Sequence, residues 1–336
     1  MDLVIDSFGA SLRRKSNCFL VRREEEVEEI CADDVTQIIL GMGTHISTDA
    51  IALAAEKNVD IVCLARGGKP VSRIWPCKFG GTALTRRKQM EALHNKKGVK
   101  VAEAMIKAKG LNQAYFLKAL NKERGMAEVD EAADIIMSRV KSASWDADNI
   151  DLVRSDMFAL EGGCSRLYVQ ALSMIVPKEY GFTGREKRPP KDPVNAALSY
   201  GYAVLYGKVE RACILAGLDP FLGFLHADRF GKPSMSLDLM EPFRQPLVDR
   251  VVVTLFTKRT FRESDFMPYK EGEGLYLNEV GRRKLLEKLY ERLDKEIQYK
   301  GRKRKFQDII LVSIRDVAAF LLDDEKRLNA FVYNWS

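Results

Sequence analysis

Apolar residues fall in short runs over the first 75 positions and at helical spacing after them. Leu3-Val4-Ile5, Phe19-Leu20-Val21, Ile38-Ile39-Leu40, Ile61-Val62-Cys63-Leu64 and Val71-Ser72-Arg73-Ile74-Trp75 read as strands. The turn signals Ser7 to Gly9, Ser16-Asn17, Asp33-Asp34, Gly41 to Gly43 and Gly67-Gly68 separate them. One helix is predicted among these strands, Ser47 to Lys57, with Ser47 as N-cap and Asn58 past its end. Residues 76–90, with a proline, paired glycines and Arg86-Arg87-Lys88, read as a linker entering a helix. Helical spacing then covers Thr85 to Lys109, Leu111 to Arg124, Glu128 to Ala143, Asn149 to Val176, Asn195 to Ala216, Val280 to Tyr299 and Phe306 to Leu322. The pattern predicts an α+β chain: a β-rich N-terminal domain over 1–75, a linker over 76–90 and a larger all-helical domain over 91–336.

The most periodic segment is Asn149 to Val176. Val153, Met157, Leu160, Cys164, Leu167, Ala171 and Met174 recur at steps of four and three, a stripe expected to be buried. Glu161 sits on its border, followed by Gly162 and Gly163, which suggest close approach of a backbone or ligand. A carboxylate on an apolar edge needs a partner, because unpaired burial is costly; the alternative is an exposed glutamate beside a helix contact. Residues 177–194 hold four prolines with Arg185, Lys187, Arg188 and Lys191, and read either as a mobile loop able to clamp a phosphate backbone or as a connector.

Asp219 to Asp249 holds His226, one of three histidines in the chain, after the apolar lead-in Phe221, Leu222, Phe224 and Leu225. Twelve residues on stand Asp238 and Glu241, which share one face if the segment is helical, with Arg244 a turn beyond. An imidazole and carboxylates brought together from separate elements could hold a divalent metal with open positions. The same residues also fit a capping box, with Asp238 as N-cap and Glu241 reaching back. Gly41-Met42-Gly43-Thr44-His45 precedes a helix but lacks the third glycine of a dinucleotide fingerprint and the Gly-Lys-Ser/Thr of a P-loop.

Composition narrows the class. At 336 residues with 46% hydrophobic and 30% charged content, the chain suits a globular protein of two domains. Its apolar runs are too short to cross a bilayer, and MDLVIDSFGA does not read as a signal peptide, so a cytoplasmic protein is expected. Six scattered cysteines with no CxxC pair argue against a zinc site or disulfide framework. A formal net charge of +7 favours a polyanionic partner. Lys300-Gly301-Arg302-Lys303-Arg304-Lys305 is the densest basic run.

Several motifs occur together in order: Glu161-Gly-Gly-Cys-Ser-Arg-Leu-Tyr168, Asn195-Ala-Ala-Leu-Ser-Tyr-Gly-Tyr202, Gly223-Phe-Leu-His226, Ser236-Leu-Asp-Leu-Met-Glu-Pro-Phe-Arg244, and Asp249. The set resembles the CRISPR adaptation integrase family, CRISPR-associated protein 1, over nearly the whole chain. The resemblance implies a homodimer formed largely through the β domains. It also implies a Mg2+ or Mn2+ site from Glu161, His226 and Glu241, with Asp238 as the neighbouring acid. Some members carry aspartate at both acidic positions, and Cys164 and Ser165 replace small alanines, a change expected to be neutral. The implied reaction inserts short foreign DNA into a CRISPR array by 3′-hydroxyl attack. Implied partners are double-stranded, branched or 3′-overhang DNA and CRISPR-associated protein 2. Candidate DNA contacts are Arg185, Lys187, Arg188, Lys191, Lys232, Arg244, Lys303 and Arg304. The rival readings are a repair nuclease without integration and a non-catalytic nucleic-acid-binding protein.

Overall fold

The computed structural model describes every residue except 25, 65–69, 75–81, 187–188, 227–231, 269–273, 324 and 336. It divides into Met1–Gly80 and Gly81–Ser336. In the first unit, in chain order, lie β1 (Asp2–Ile5), β2 (Ser11–Lys15), β3 (Cys18–Arg23), β4 (Glu26–Cys31), β5 (Gln37–Leu40), β6 (His45–Ile46), α1 (Thr48–Glu56), β7 (Asp60–Leu64) and β8 (Pro70–Ile74). They form two four-stranded sheets, ordered β1-β5-β7-β8 and β4-β3-β2-β6. Strands β1, β5 and β7 run parallel, as their near-continuous apolar sequences suit, and β8 closes that sheet antiparallel.

Three strands were not anticipated: β2, β4 and β6. Their alternation is masked by charge, as in Ser11-Leu12-Arg13-Arg14-Lys15, where only Leu12 is buried. Leu12, Phe19, Val21, Ile38, Leu53 and Ile61 fill the core of this unit. Ser47 caps α1 as the sequence indicates, its Oγ accepting from the Ala50 N–H at 3.2 Å. Gly43 has a φ of +79°, and the Phe8 ring occupies the place a Cβ would take. The glycines of the 41–43 turn therefore serve backbone packing.

The second unit holds α2 (Thr82–Ala92), α3 (Lys96–Asn121), α4 (Ala127–Ser142), α5 (Arg154–Ile175), α6 (Pro193–Leu215), α7 (Ser234–Met240), α8 (Arg250–Thr257), β9 (Phe266–Pro268), β10 (Leu275–Leu277), α9 (Glu279–Asp294), β11 (Glu296–Tyr299), β12 (Arg302–Lys305) and α10 (Phe306–Leu322). It is mostly helical rather than all-helical. The pairs β9–β10 and β11–β12 are antiparallel hairpins, and the second absorbs the basic run expected after a helix ending at Tyr299. Gly301, with φ +74°, supplies its turn.

Two other boundaries differ from expectation. Residues 82–92 are helix α2, so the linker reading does not extend to 90. The helix expected over 85–109 breaks at 93–95, where the Asn95 side chain accepts from the Lys97 N–H and starts α3 afresh. α3 packs against α4 and α5 at the centre of this unit. Residues 325–335 carry no regular structure but are well anchored. Phe331 is 1% exposed and stacks on Phe243, while Trp335 packs on Phe116. No described helix is long and apolar enough to cross a membrane.

Candidate active site

From α7 to α8 the chain is one irregular helical run. α7 gives way to a 3₁₀ turn at Glu241–Phe243 and a π-helical turn at Arg244–Asp249 before α8 begins. Pro242 and Pro246 explain the irregularity, since neither can donate the N–H that an α-helix needs at its position. π turns of this kind recur at functional sites. Here they turn Glu241, Arg244 and Asp249 toward α3, α5 and α6 instead of leaving them at regular 3.6-residue spacing.

Asp238 lies in the last turn of α7, not at its start, so the capping-box reading fails: the helix begins at Ser234. Its carboxylate is 1% exposed and serves the histidine loop. Oδ2 accepts from the N–H groups of Phe224 (2.7 Å) and Leu225 (2.9 Å). Oδ1 accepts from the His226 N–H at 3.0 Å and lies 2.6 Å from His226 Nδ1. A carboxylate can only accept here, so Nδ1 carries the proton of this contact and Nε2 is the ring nitrogen turned away from Asp238. A carboxylate fixing the tautomer of a histidine is the usual support of a metal-ligating imidazole.

The loop is held from other sides too. Gly223 presses against α7 so closely that a Cβ would come within 2.6 Å of Ser234 Cβ. Arg154 of α5 donates from Nε and Nη2 to the Phe224 carbonyl. The fully buried Gln89 of α2 donates to the carbonyls of Asp219 and Leu222 and accepts from the Asp219 N–H. Phe158, three residues before Glu161 on α5, meets the His226 ring edge-on with centroids 5.7 Å apart.

Glu161 and Glu241 meet at a residue the sequence reading passed over. Lys109 of α3, 7% exposed, ion-pairs with Glu161 Oε1 and lies 2.6 Å from Glu241 Oε2. Glu161 Oε1 also accepts from Ser165 Oγ at 3.0 Å, a contact that an alanine at this position would not make. Glu241 Oε1 pairs with Arg244 Nη2 at 2.8 Å. Burial works to raise the Glu241 pKa, but Arg244 and Lys109, with a smaller contribution from His226, outweigh it and hold the group at about 2. Lys109 could have been noticed: it sits four residues from both Met105 and Gln113, on the buried stripe of α3.

Behind Arg244 lies a second polar group. Asp249, 1% exposed, accepts from Tyr168 Oη at 2.6 Å and Tyr202 Oη at 2.5 Å. Burial raises its pKa, and the two phenol hydrogen bonds oppose that rise. The Tyr202 ring is flanked by the guanidinium groups of Arg244 (4.7 Å to the centroid) and Arg185 (5.5 Å). Arg185 also donates to Asn195 Oδ1 and Ser199 Oγ. The loop after α5 is therefore pinned at Arg185 rather than mobile there. Tyr168 takes the inward position on α5 that the stripe assigned to its neighbours, while Met174 is 43% exposed.

The structure thus brings Glu161, His226, Asp238, Glu241 and Arg244 together. Arg185 stands across the Tyr202 ring from Arg244, and the remaining basic candidates either form no ion pair with these acids or lie outside the described residues. Lys191 and Lys303 are exposed, Lys232 and Arg304 are half-buried, and Lys187 and Arg188 fall in an undescribed stretch. Gly162 and Gly163 carry no close backbone contact; a Cβ at either would meet only the tip of an arginine at 3.4 Å or more. No group of three His, Cys, Asp or Glu side chains among the described residues stands arranged to hold a metal ion. The cation between the two glutamates is Lys109.

This architecture is shared with known proteins. A casposase bound to its integration product superposes with a TM-score of 0.83 at 24% identity, covering 100% of this chain and 94% of that one. A chain of a Cas6–RT–Cas1–Cas2 complex gives a TM-score of 0.79 at 18% identity, covering 100% of this chain and 36% of that one. These likenesses define a fold. Sequence goes further: the family model for CRISPR associated protein Cas1 matches residues 3–291. The CRISPR-associated endonuclease Cas1 1 of Archaeoglobus fulgidus is 38% identical over 349 aligned positions, covering 100% of both chains. The chain belongs to the CRISPR associated protein Cas1 family.

Proposed function

We propose that the chain is a divalent-metal-dependent DNA strand transferase and endonuclease that inserts short DNA into a CRISPR array by 3′-hydroxyl attack on a phosphodiester. The observation that carries this is the convergence of Glu161 and Glu241, from separate helices, on one cation position beside an imidazole whose Nδ1 is committed to Asp238. Two carboxylates sharing a single buried cation form an anionic pocket whose chemistry suits a divalent ion once Lys109 moves aside. Mg2+ or Mn2+ would be held by Glu161, Glu241 and Nε2 of His226, an oxygen-rich set with one nitrogen. Bound there, it would polarise a phosphodiester and lower the pKa of an attacking hydroxyl.

The chain's own residues have separable tasks. Asp238 holds the histidine loop through three backbone N–H groups and fixes the imidazole tautomer. Ser165 orients Glu161, and Arg244 orients Glu241 while remaining available to a phosphate oxygen. The casposase neighbour is named for an integration product, which favours a 3′-hydroxyl as nucleophile. The Archaeoglobus relative is named an endonuclease, which favours water at the same site as a second reaction. DNA, a second copy of the chain and a CRISPR-associated protein 2 are the partners this reading requires.

Glu161→Ala, His226→Ala and Glu241→Ala are each expected to abolish Mn2+-dependent cutting and joining of labelled DNA carrying free 3′-hydroxyl ends. Circular dichroism should report a folded chain in each case. Wild-type protein that cuts but never joins such ends would leave only the nuclease reading. Activity surviving in all three variants would remove both.

A further inference from the structure

Away from these acids, α8 and α9 border a cavity of about 390 Å3 that the proposed reaction does not use. α8 contributes Arg250, with Lys258 just past its end. α9 contributes Lys288, Glu291 and Arg292, with Lys295 just past its end. Five cations thus face one carboxylate, and Glu291 is already engaged by Lys288 at 2.6 Å. Lys258 and Lys295 form no ion pair with any described acid at the distances seen elsewhere in the unit, and both are exposed.

Neutralising the helix C-termini would account for Lys258, Lys295 and, in the last turn of α9, Arg292, but not for Arg250 at the start of α8. Arg292 is held in place by donating from Nε to the Pro246 carbonyl at 2.9 Å. Its guanidinium lies over the rings of Phe306, Tyr333 and Trp335. Its guanidinium also interacts with Tyr333, so the aromatic cluster fixes where its charge stands. Arg250 lies over the Trp335 ring at 5.6 Å, close enough to Arg292 that its charge acts on it. Two guanidiniums side by side, with three lysines on the same cavity wall, are a receptor for an acceptor-rich anion.

We infer that this cavity binds adjacent phosphate groups, two or more in one ligand. The volume is that of a small-ligand site. The aromatic faces nearby are already covered by Arg250 and Arg292, which leaves charge and hydrogen bonding, but no stacking surface, for recognition. The ligand is therefore read by its phosphates and not by a base. Either a nucleic-acid backbone or a free oligophosphate supplies that chemistry.

The test uses the full chain and the double variant Lys258→Glu/Lys295→Glu, which changes exposed residues and leaves Glu161, His226 and Glu241 untouched. Calorimetric titration with inorganic pyrophosphate should show binding to wild type and at least tenfold weaker binding to the variant. Duplex DNA affinity measured against salt concentration separates the two sources. A slope flattened by about 1.8, two phosphates at about 0.9 each, identifies a nucleic-acid backbone. Pyrophosphate binding lost with the DNA slope unchanged identifies a free oligophosphate. Pyrophosphate binding equal in wild type and variant overturns the proposal. So does wild type that binds no pyrophosphate while the variant keeps the wild-type salt slope.

Discussion

Lys109 is the residue whose role is least like what its type suggests. A lysine is buried between two carboxylates, and under the proposed function a divalent ion would compete with it for Glu161 and Glu241. Lys109→Met should therefore raise the apparent Mn2+ affinity by roughly tenfold, the scale of coupling between groups that share a site. It should also lower the metal-free melting temperature, because two buried acids lose their counter-charge. Isothermal titration and melting curves with and without Mn2+ check both halves. Unchanged affinity in a variant whose parent binds Mn2+ would reduce Lys109 to a packing residue. Glu241 leaves a second signature. Its folded pKa of about 2 lies below the ordinary 4.5, so its contribution is present above 4.5 and disappears as pH falls toward 2. Wild type should lose roughly 3 kcal/mol over that window, at about 1.4 kcal/mol per pH unit, that Glu241→Gln does not lose. Urea unfolding at pH 5 and near pH 2 measures the difference, and parallel losses would show that Glu241 is not ion-paired in solution.

At the scale of elements, the irregular run from α7 to α8 is fixed from the far side by the C-terminal segment. Asn112 of α3, fully buried, donates to the carbonyls of Pro242 (2.7 Å) and Phe331 (3.0 Å) and accepts from the Tyr333 N–H at 2.7 Å. One side chain therefore ties the residue after Glu241 to the chain end, one turn along α3 from Lys109. Asn112→Ala would strand three buried backbone groups and cost about 3 kcal/mol or more, at 1–3 each. It should also expose residues 325–335 to limited proteolysis and weaken metal-dependent joining. A tail as resistant as that of wild type would show that the aromatic contacts of Phe331 and Trp335 alone hold it. The hairpin β11–β12 makes a related point. Glu296-Ile297-Gln298-Tyr299 alternates only briefly before the wholly basic Arg302–Lys305, so the pattern does not stand out; the hairpin forms because Gly301 allows the turn and Ile297 and Tyr299 pack against the helical core.

For the whole molecule, legibility followed locality. The α+β order, the strands with apolar runs and the long helices α4, α6 and α10 were readable because period and capping are local properties, as at Ser47. The ordered motifs around Glu161, His226, Asp238 and Glu241 were readable as well, and with them the family. Glu161, His226 and Glu241 are residues whose chemistry needs explanation wherever they sit. What each of them touches was not readable. The sequence offers Asp238 as a cap because an acid three before a glutamate satisfies that pattern anywhere. Only the approach of the 223–226 loop gives its carboxylate four donors and makes it the support of His226. Lys109 looks like any lysine on a charged helix until α5 and the turn after α7 bring two glutamates to it from 52 residues away and beyond. The cavity between α8 and α9 likewise exists only once two distant helices lie side by side. Composition and spacing determined which elements form and which residues bear chemistry. Tertiary packing decided their partners, because burial and charge pairing are properties of neighbours in space.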